Sequence, residues 1–153
     1  MGRTFGSVNE VLDFAIAGEI EASEFYTALA GKMEAPAMKK AFEEFAAEER
    51  GHRAKLEAVK RGEHSFGTGA KQVQRLGLAD YLVAQKPSAQ MDYAQALVLA
   101  MKKEKAAFKL YSDLAAAAPD DALRHLFLSL AAEEARHKLR FEVEYDDFAL
   151  KEN

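Results

Sequence analysis

The sequence predicts an all-α protein, a four-helix bundle with one long crossover between its second and third helices. Three observations predict it. Alanine, glutamate, lysine and leucine dominate a 153-residue chain with only 9 glycines and 3 prolines, a mixture that favours helix almost throughout. Apolar residues recur in alternating steps of three and four along four long stretches. The last two stretches repeat the first two at a constant offset, since 104−19, 134−49 and 137−52 all equal 85.

The elements follow in order. Ser7-Val8-Asn9-Glu10 reads as a capping box, with Ser7 accepting from the backbone and Glu10 reaching back. The helix it opens is expected to run to about Gly31, where glycine can take the left-handed cap conformation. Pro36 suits the first turn of a second helix, which runs to about Gly62. Asp92-Tyr93-Ala94-Gln95 has the form of another cap and opens a third helix ending near Ala118. Pro119-Asp120 starts a fourth that continues to roughly Phe148. The crossover between Gly62 and Met91 begins as loop up to Gly69, and Leu76 to Ala84 is expected as a short helix stopping before Pro87. Tight turns make the helices of each pair antiparallel neighbours. One domain over residues 1–153 is expected, long enough to bury a core.

Each stretch carries a seam for burial. The first is Leu12, Ala15, Glu19, Ala22, Tyr26, Leu29 and Met33; the second is Met38, Phe42, Phe45, Glu49, His52, Leu56 and Val59. The third is Leu97, Met101, Glu104, Phe108 and Tyr111; the fourth is Leu123, Phe127, Leu130, Glu134, His137 and Phe141. Ionisable residues interrupt every seam at its middle. Glutamate and histidine three residues apart share a helical face and can reach one metal ion. Glu49 with His52 and Glu134 with His137 form two such pairs, and Glu19 and Glu104 add one carboxylate from each remaining helix. Two divalent cations would cancel four buried negative charges that are otherwise costly. Carboxylate and imidazole suit iron, manganese or zinc, and the lack of thiolate argues against copper(I). Tyr26 and Tyr111 each lie seven residues after a seam glutamate. Each can hydrogen-bond a carboxylate from a neighbouring helix, or serve as an ordinary core tyrosine. His64, His125, Glu48 and Glu133 read as surface, packing or peripheral residues.

Composition removes other classes. A net charge of −4 leaves no basic footprint for nucleic acid. The absence of cysteine excludes disulfides, zinc ribbons, iron–sulfur clusters and thiol catalysis. No run of about 18 apolar residues is present to span a membrane. Met1-Gly2-Arg3-Thr4-Phe5 lacks the basic-then-apolar pattern of a secretory signal, so a cytoplasmic protein is expected.

The sequence resembles the rubrerythrin branch of the ferritin-like superfamily. The likeness rests on Ala17-Gly18-Glu19 with Tyr26, on Glu49-Arg50-Gly51-His52, on Glu104 with Tyr111, and on Glu134-Ala135-Arg136-His137. It implies a non-haem di-iron centre and redox chemistry on peroxide or oxygen. Glu49 and Glu134 would bridge two irons, Glu19 and Glu104 would cap one each, and His52 and His137 would complete the set. Two departures qualify this. No cysteines are present to build the family's rubredoxin module, so an external donor such as a rubredoxin-type protein would supply electrons. Ala107 stands where rubrerythrins carry an extra carboxylate, which leaves a more symmetric site similar to that of bacterioferritin. Arg50 occupies the place of bacterioferritin's haem-binding methionine, so no haem is expected. A homodimer, with the crossover as an exchangeable segment, is a further implication. Three functions stay open: a di-iron oxidoreductase, a ferroxidase or iron-binding protein, and a non-catalytic helical module holding structural metal.

Overall fold

The structure, a computed structural model, describes residues 2–152. In chain order the helices are α1 (Val8–Lys32), α2 (Pro36–Lys60), the short α3 (Ala70–Gln74), α4 (Tyr93–Ala117) and α5 (Asp121–Glu152). Among the described residues there is no strand, only an isolated antiparallel bridge between Thr4 and Gly77.

The caps lie where the sequence places them, with only the serine half of the box predicted at Ser7–Glu10 formed. Ser7 is extended, and its Oγ accepts the Glu10 N–H at 3.0 Å to start α1. At α4 both halves of the box form, with Gln95 N–H donating to Asp92 Oδ1 at 2.8 Å and Asp92 N–H donating to Gln95 Oε1 at 2.9 Å. Pro36 opens the first turn of α2, and Asp120 Oδ1 accepts from Leu123 N–H at 2.8 Å at the start of α5. Two helix ends differ from expectation. α1 does not stop on a left-handed Gly31; it runs to Lys32, and the extended Met33 closes it with an N–H donated to Ala30 O at 3.2 Å. The left-handed conformation is needed instead at Gly62, with φ 95°, just past the end of α2. α5 also continues beyond Phe148.

The chain divides into two compact units, Phe5–Gln74 and Met1–Thr4 with Arg75–Asn153. The first is an α1–α2 hairpin closed by a short turn. Lys60 Nζ near the end of α2 sits 2.6 Å from Asp13 Oδ1 near the start of α1, which fixes the antiparallel sense. Tyr26 stacks on Phe42 at 6.4 Å, and Phe5 meets Phe14 edge-on at 5.3 Å. The second unit is an α4–α5 hairpin of the same design. Tyr111 stacks on Phe127 at 6.2 Å, and Tyr93 meets Phe148 edge-on at 5.2 Å.

The crossover departs from its predicted form. Its helical turn falls at Ala70–Gln74, and Leu78–Asp80 makes a single 3₁₀ turn rather than part of a helix over 76–84. Gly77 is extended and bridges Thr4, and Leu78 N–H donates to Arg3 O at 2.9 Å. Pairing with the N-terminal residues takes the backbone groups that a helix there would have used. Beyond the turn, Tyr81 OH donates to Asp113 Oδ2 on α4 at 2.6 Å, and Lys109 Nζ lies 4.8 Å from the Tyr81 ring centre. Burial, then the hydrogen bond and charge of Asp113, pushes the Tyr81 phenol well above its ordinary pKa.

The seams of α2 and α5 are buried at every predicted position. On α1 only Met33 escapes, half-buried in the turn. On α4 the prediction fails at Phe108, which is 42% exposed, and at Met101, which is half-buried. Ala96, Leu97, Leu99 and Ala100 fill the first half of α4, and Leu110, Tyr111, Leu114 and Ala115 the second, with Phe108 to one side of the face they cover.

Candidate metal centre

Helical spacing alone sets the local geometry. On α2, three residues separate Glu49 from His52, so both side chains leave the same face, one turn apart. On α1, Glu19 lies against them. His52 Nδ1 is 3.4 Å from Glu49 Oε1 and 3.5 Å from Glu19 Oε2, and all three side chains are 1–2% exposed. The second hairpin repeats this. His137 Nδ1 is 3.7 Å from Glu134 Oε1 and 3.6 Å from Glu104 Oε2, with exposures of 0–1%. Within each triad, ligand atoms of the three residues lie within 4.8 Å of one another.

The repeat is thus structural as well as sequential. The caps Ser7 and Asp92, the helix starts Val8 and Tyr93, and the ends Lys32 and Ala117 all differ by 85, and both helices have 25 residues. The starts Pro36 and Asp121 differ by 85 too. Tyr26–Phe42 and Tyr111–Phe127 are the same contact in two copies.

The donors fit a divalent cation. Two carboxylates and a neutral imidazole carry two negative charges in a site closed to water, and each such buried charge costs several kcal/mol if left uncompensated. Oxygen and imidazole donors without thiolate fit iron, manganese and zinc alike.

The remaining expectations divide. Tyr26 and Tyr111 are fully buried, next to the phenylalanines and on the seam of the triad glutamates. His125 is exposed and His64 half-buried, away from both triads in sequence. Glu48 and Glu133 are half-buried, one residue before a triad glutamate. Sequence reading passed over Tyr81 and Asp113, because no periodic signal links a crossover residue to one on α4. Among the described residues, no helix is long and apolar enough to cross a membrane.

Comparison with known proteins points the same way. Residues 10–68, which hold the first triad, match the Rubrerythrin family model. A hypothetical protein from Pyrococcus furiosus is similar in structure, with a TM-score of 0.68 and 26% identity over 89% of this chain and 86% of that one. A Thermotoga maritima protein, provisionally described as a ferritin-like diiron-carboxylate protein, has a TM-score of 0.78 and 21% identity, covering 94% of this chain and 97% of that one. No curated protein matches the chain in sequence. The chain has the ferritin-like fold, two helical hairpins joined by one long crossover. It is rubrerythrin-like where its first hairpin is concerned.

Proposed function

We propose that the two triads together hold two iron ions, and that the protein is a rubrerythrin-like oxidoreductase acting on peroxide or oxygen. The single observation that carries this reading is the duplicated buried triad, Glu19, Glu49 and His52 in one hairpin and Glu104, Glu134 and His137 in the other. Glu49 and Glu134 would be shared between the ions, Glu19 and Glu104 would each serve one, and each histidine would complete one set. Bound there, a pair of irons supplies the electrons that reduce peroxide or oxygen.

The chain's own residues would do the rest. Fixed on four helices, the carboxylates need little rearrangement to bind, and the apolar seam around them excludes water. Tyr26 and Tyr111 would each steady a carboxylate through the hydroxyl, since buried tyrosine hydroxyls are seldom left without a partner. These 153 residues hold no cysteine, and a rubredoxin-type carrier in a cytoplasmic setting would supply the reducing equivalents. Ala107 favours one second reading, a ferroxidase that handles iron itself, because the carboxylate of rubrerythrins is replaced there by a methyl group.

The two readings separate in one experiment. Ferrous iron is added to the metal-free chain, then hydrogen peroxide with a reduced rubredoxin-type donor. The oxidoreductase consumes peroxide over many turnovers and retains no iron beyond its site. Iron retained well beyond the site, with negligible donor oxidation, would establish the ferroxidase reading instead. Failure to bind iron at all would remove both.

A further inference from the structure

Helix α4 carries a basic stripe on its outer side. At about 100° per residue, Lys102, Lys105 and Lys109 fall within about 60° of one another. All three are exposed. Phe108, 42% exposed, borders them about one turn past Lys105. Between Tyr93 and Ser112 the helix holds one acidic residue, Glu104, and that one is buried in the triad.

The stripe works against the helix that carries it. Several cations of the other helices are matched one turn on, Lys39 by Glu43, Lys40 by Glu44, Arg53 by Glu57 and Lys138 by Glu142. On α4 the residue four after Lys102 is Ala106, and the residue four after Lys105 is Lys109, a like charge. Lys109 does reach an acid, Asp113 at 3.4 Å, but shares it with the Tyr81 hydroxyl. Nor does the duplicated scaffold ask for such a face. Subtracting 85 gives Ala17, Ile20 and Glu24 on α1, and Ser23 in place of Phe108.

We propose that this face docks an acidic electron-carrier protein, whose carboxylates meet Lys102, Lys105 and Lys109 while Phe108 packs at their border. It rests on the oxidoreductase reading, which requires an external donor but assigns it neither a charge nor a place to land. Position favours the assignment. Lys102 lies about 160° round the helix from Glu104, and Lys105 about 100°. Both therefore leave α4 on its outer side, while Glu104 points into the second triad. A carrier seated on them is separated from that triad by one helix width, about 10–12 Å. Charge favours it too. The chain as a whole carries −4, so an acidic carrier is repelled over most of the surface and drawn to this patch. The exposed aromatic adds the apolar contact that anchors an interface.

An acidic rubredoxin serves as the probe. Calorimetry reads its affinity for the chain without peroxide, and stopped flow reads its second-order oxidation rate with peroxide, each at about 20 and 200 mM salt. The double variant Lys102→Glu, Lys105→Glu should lower affinity and rate at the lower salt by at least about tenfold, with helical content and bound iron unchanged. Lys32→Glu with Lys55→Glu alters net charge equally, at exposed sites of the first hairpin, and should cost less than about twofold. Higher salt should erase most of the wild-type advantage over the stripe variant. Phe108→Ala should weaken affinity at both salt concentrations. Absence of wild-type binding, or equal losses in the two double variants, overturns the proposal. A stripe variant that keeps its affinity for rubredoxin yet no longer pellets with phosphatidylglycerol vesicles overturns it in favour of a lipid surface. Salt-sensitive docking through the stripe with no peroxide-dependent turnover would instead sink the oxidoreductase reading and leave the docking face standing.

Discussion

The hairpin α1–α2 and the hairpin α4–α5 share the triads and most of their buried seams, exchanging apolar residues such as Met38, Phe45 and Leu56 for Leu123, Leu130 and Phe141, and diverge on the faces turned to solvent. Inside, Glu19, Glu49 and His52 correspond to Glu104, Glu134 and His137, with matching cross-helix distances of 3.5 and 3.6 Å from histidine to the glutamate of the other helix. Outside, α5 carries Leu128, Leu139 and Val143 where α2 carries Glu43, Ala54 and Ala58. Likewise α4 exposes Lys102, Lys105 and Lys109 where α1 has Ala17, Ile20 and Glu24. On the proposed reading a shared demand accounts for the likeness of the two interiors, since each triad would supply metal donors only if its own helical register holds. Each exterior answers to different surroundings and has been free to change.

The largest test of that equivalence concerns the triads. Glu19→Ala and Glu104→Ala should each weaken iron binding by more than about 100-fold, and by similar amounts, read by metal analysis after dialysis. A loss confined to one hairpin would break the comparison. Next come the stacked pairs. Phe42→Ala and Phe127→Ala should each cost about 3–5 kcal/mol in urea unfolding of the metal-free chain. A gap between the two much above 1 kcal/mol would show that the cores are not equivalent.

The third test addresses a feature of the second hairpin, the bond from Tyr81 to Asp113. Tyr81→Phe should cost about 1.5–3 kcal/mol near neutral pH, as expected for a hydrogen bond to a charged group. The fold raises the phenol's pKa, so it favours the protonated form. The stabilisation is then complete below the ordinary tyrosine value of about 10 and is lost as pH climbs through the raised value. Denaturation at pH 8 and pH 11 should show wild type losing more of its margin over Tyr81→Phe at the higher pH. The smallest effects are at the caps. Ser7→Ala and Asp92→Ala should each cost about 1 kcal/mol, and Gln95→Ala less, because it removes only the acceptor of the Asp92 N–H.

Much of this was legible in the residues. The capping residues Ser7 and Asp92, the proline at 36 and the apolar steps set the starts of the four long helices nearly to the residue. The two Glu-x-x-His pairs and the offset of 85 located the triads. These features are local or periodic, so one chain suffices to read them. The crossover was not legible, since Gly77 is held extended by Thr4, more than 70 positions earlier, and no local pattern announces such pairing. Phe108 misled for a related reason. Steps of three and four fit it to the seam as well as the alanines do, and only packing decides which side of the helix is covered. The turn after α1 shows the limit of glycine as a signal, for Gly31 permits a left-handed cap that Met33 makes unnecessary.

An anaerobic titration of the metal-free chain with ferrous iron addresses the paired-triad reading most directly. Binding should saturate at two ions per chain, and Glu49→Ala and Glu134→Ala should each fall short of two while the helical content holds. Saturation at one ion, or at two in either variant, would contradict the account.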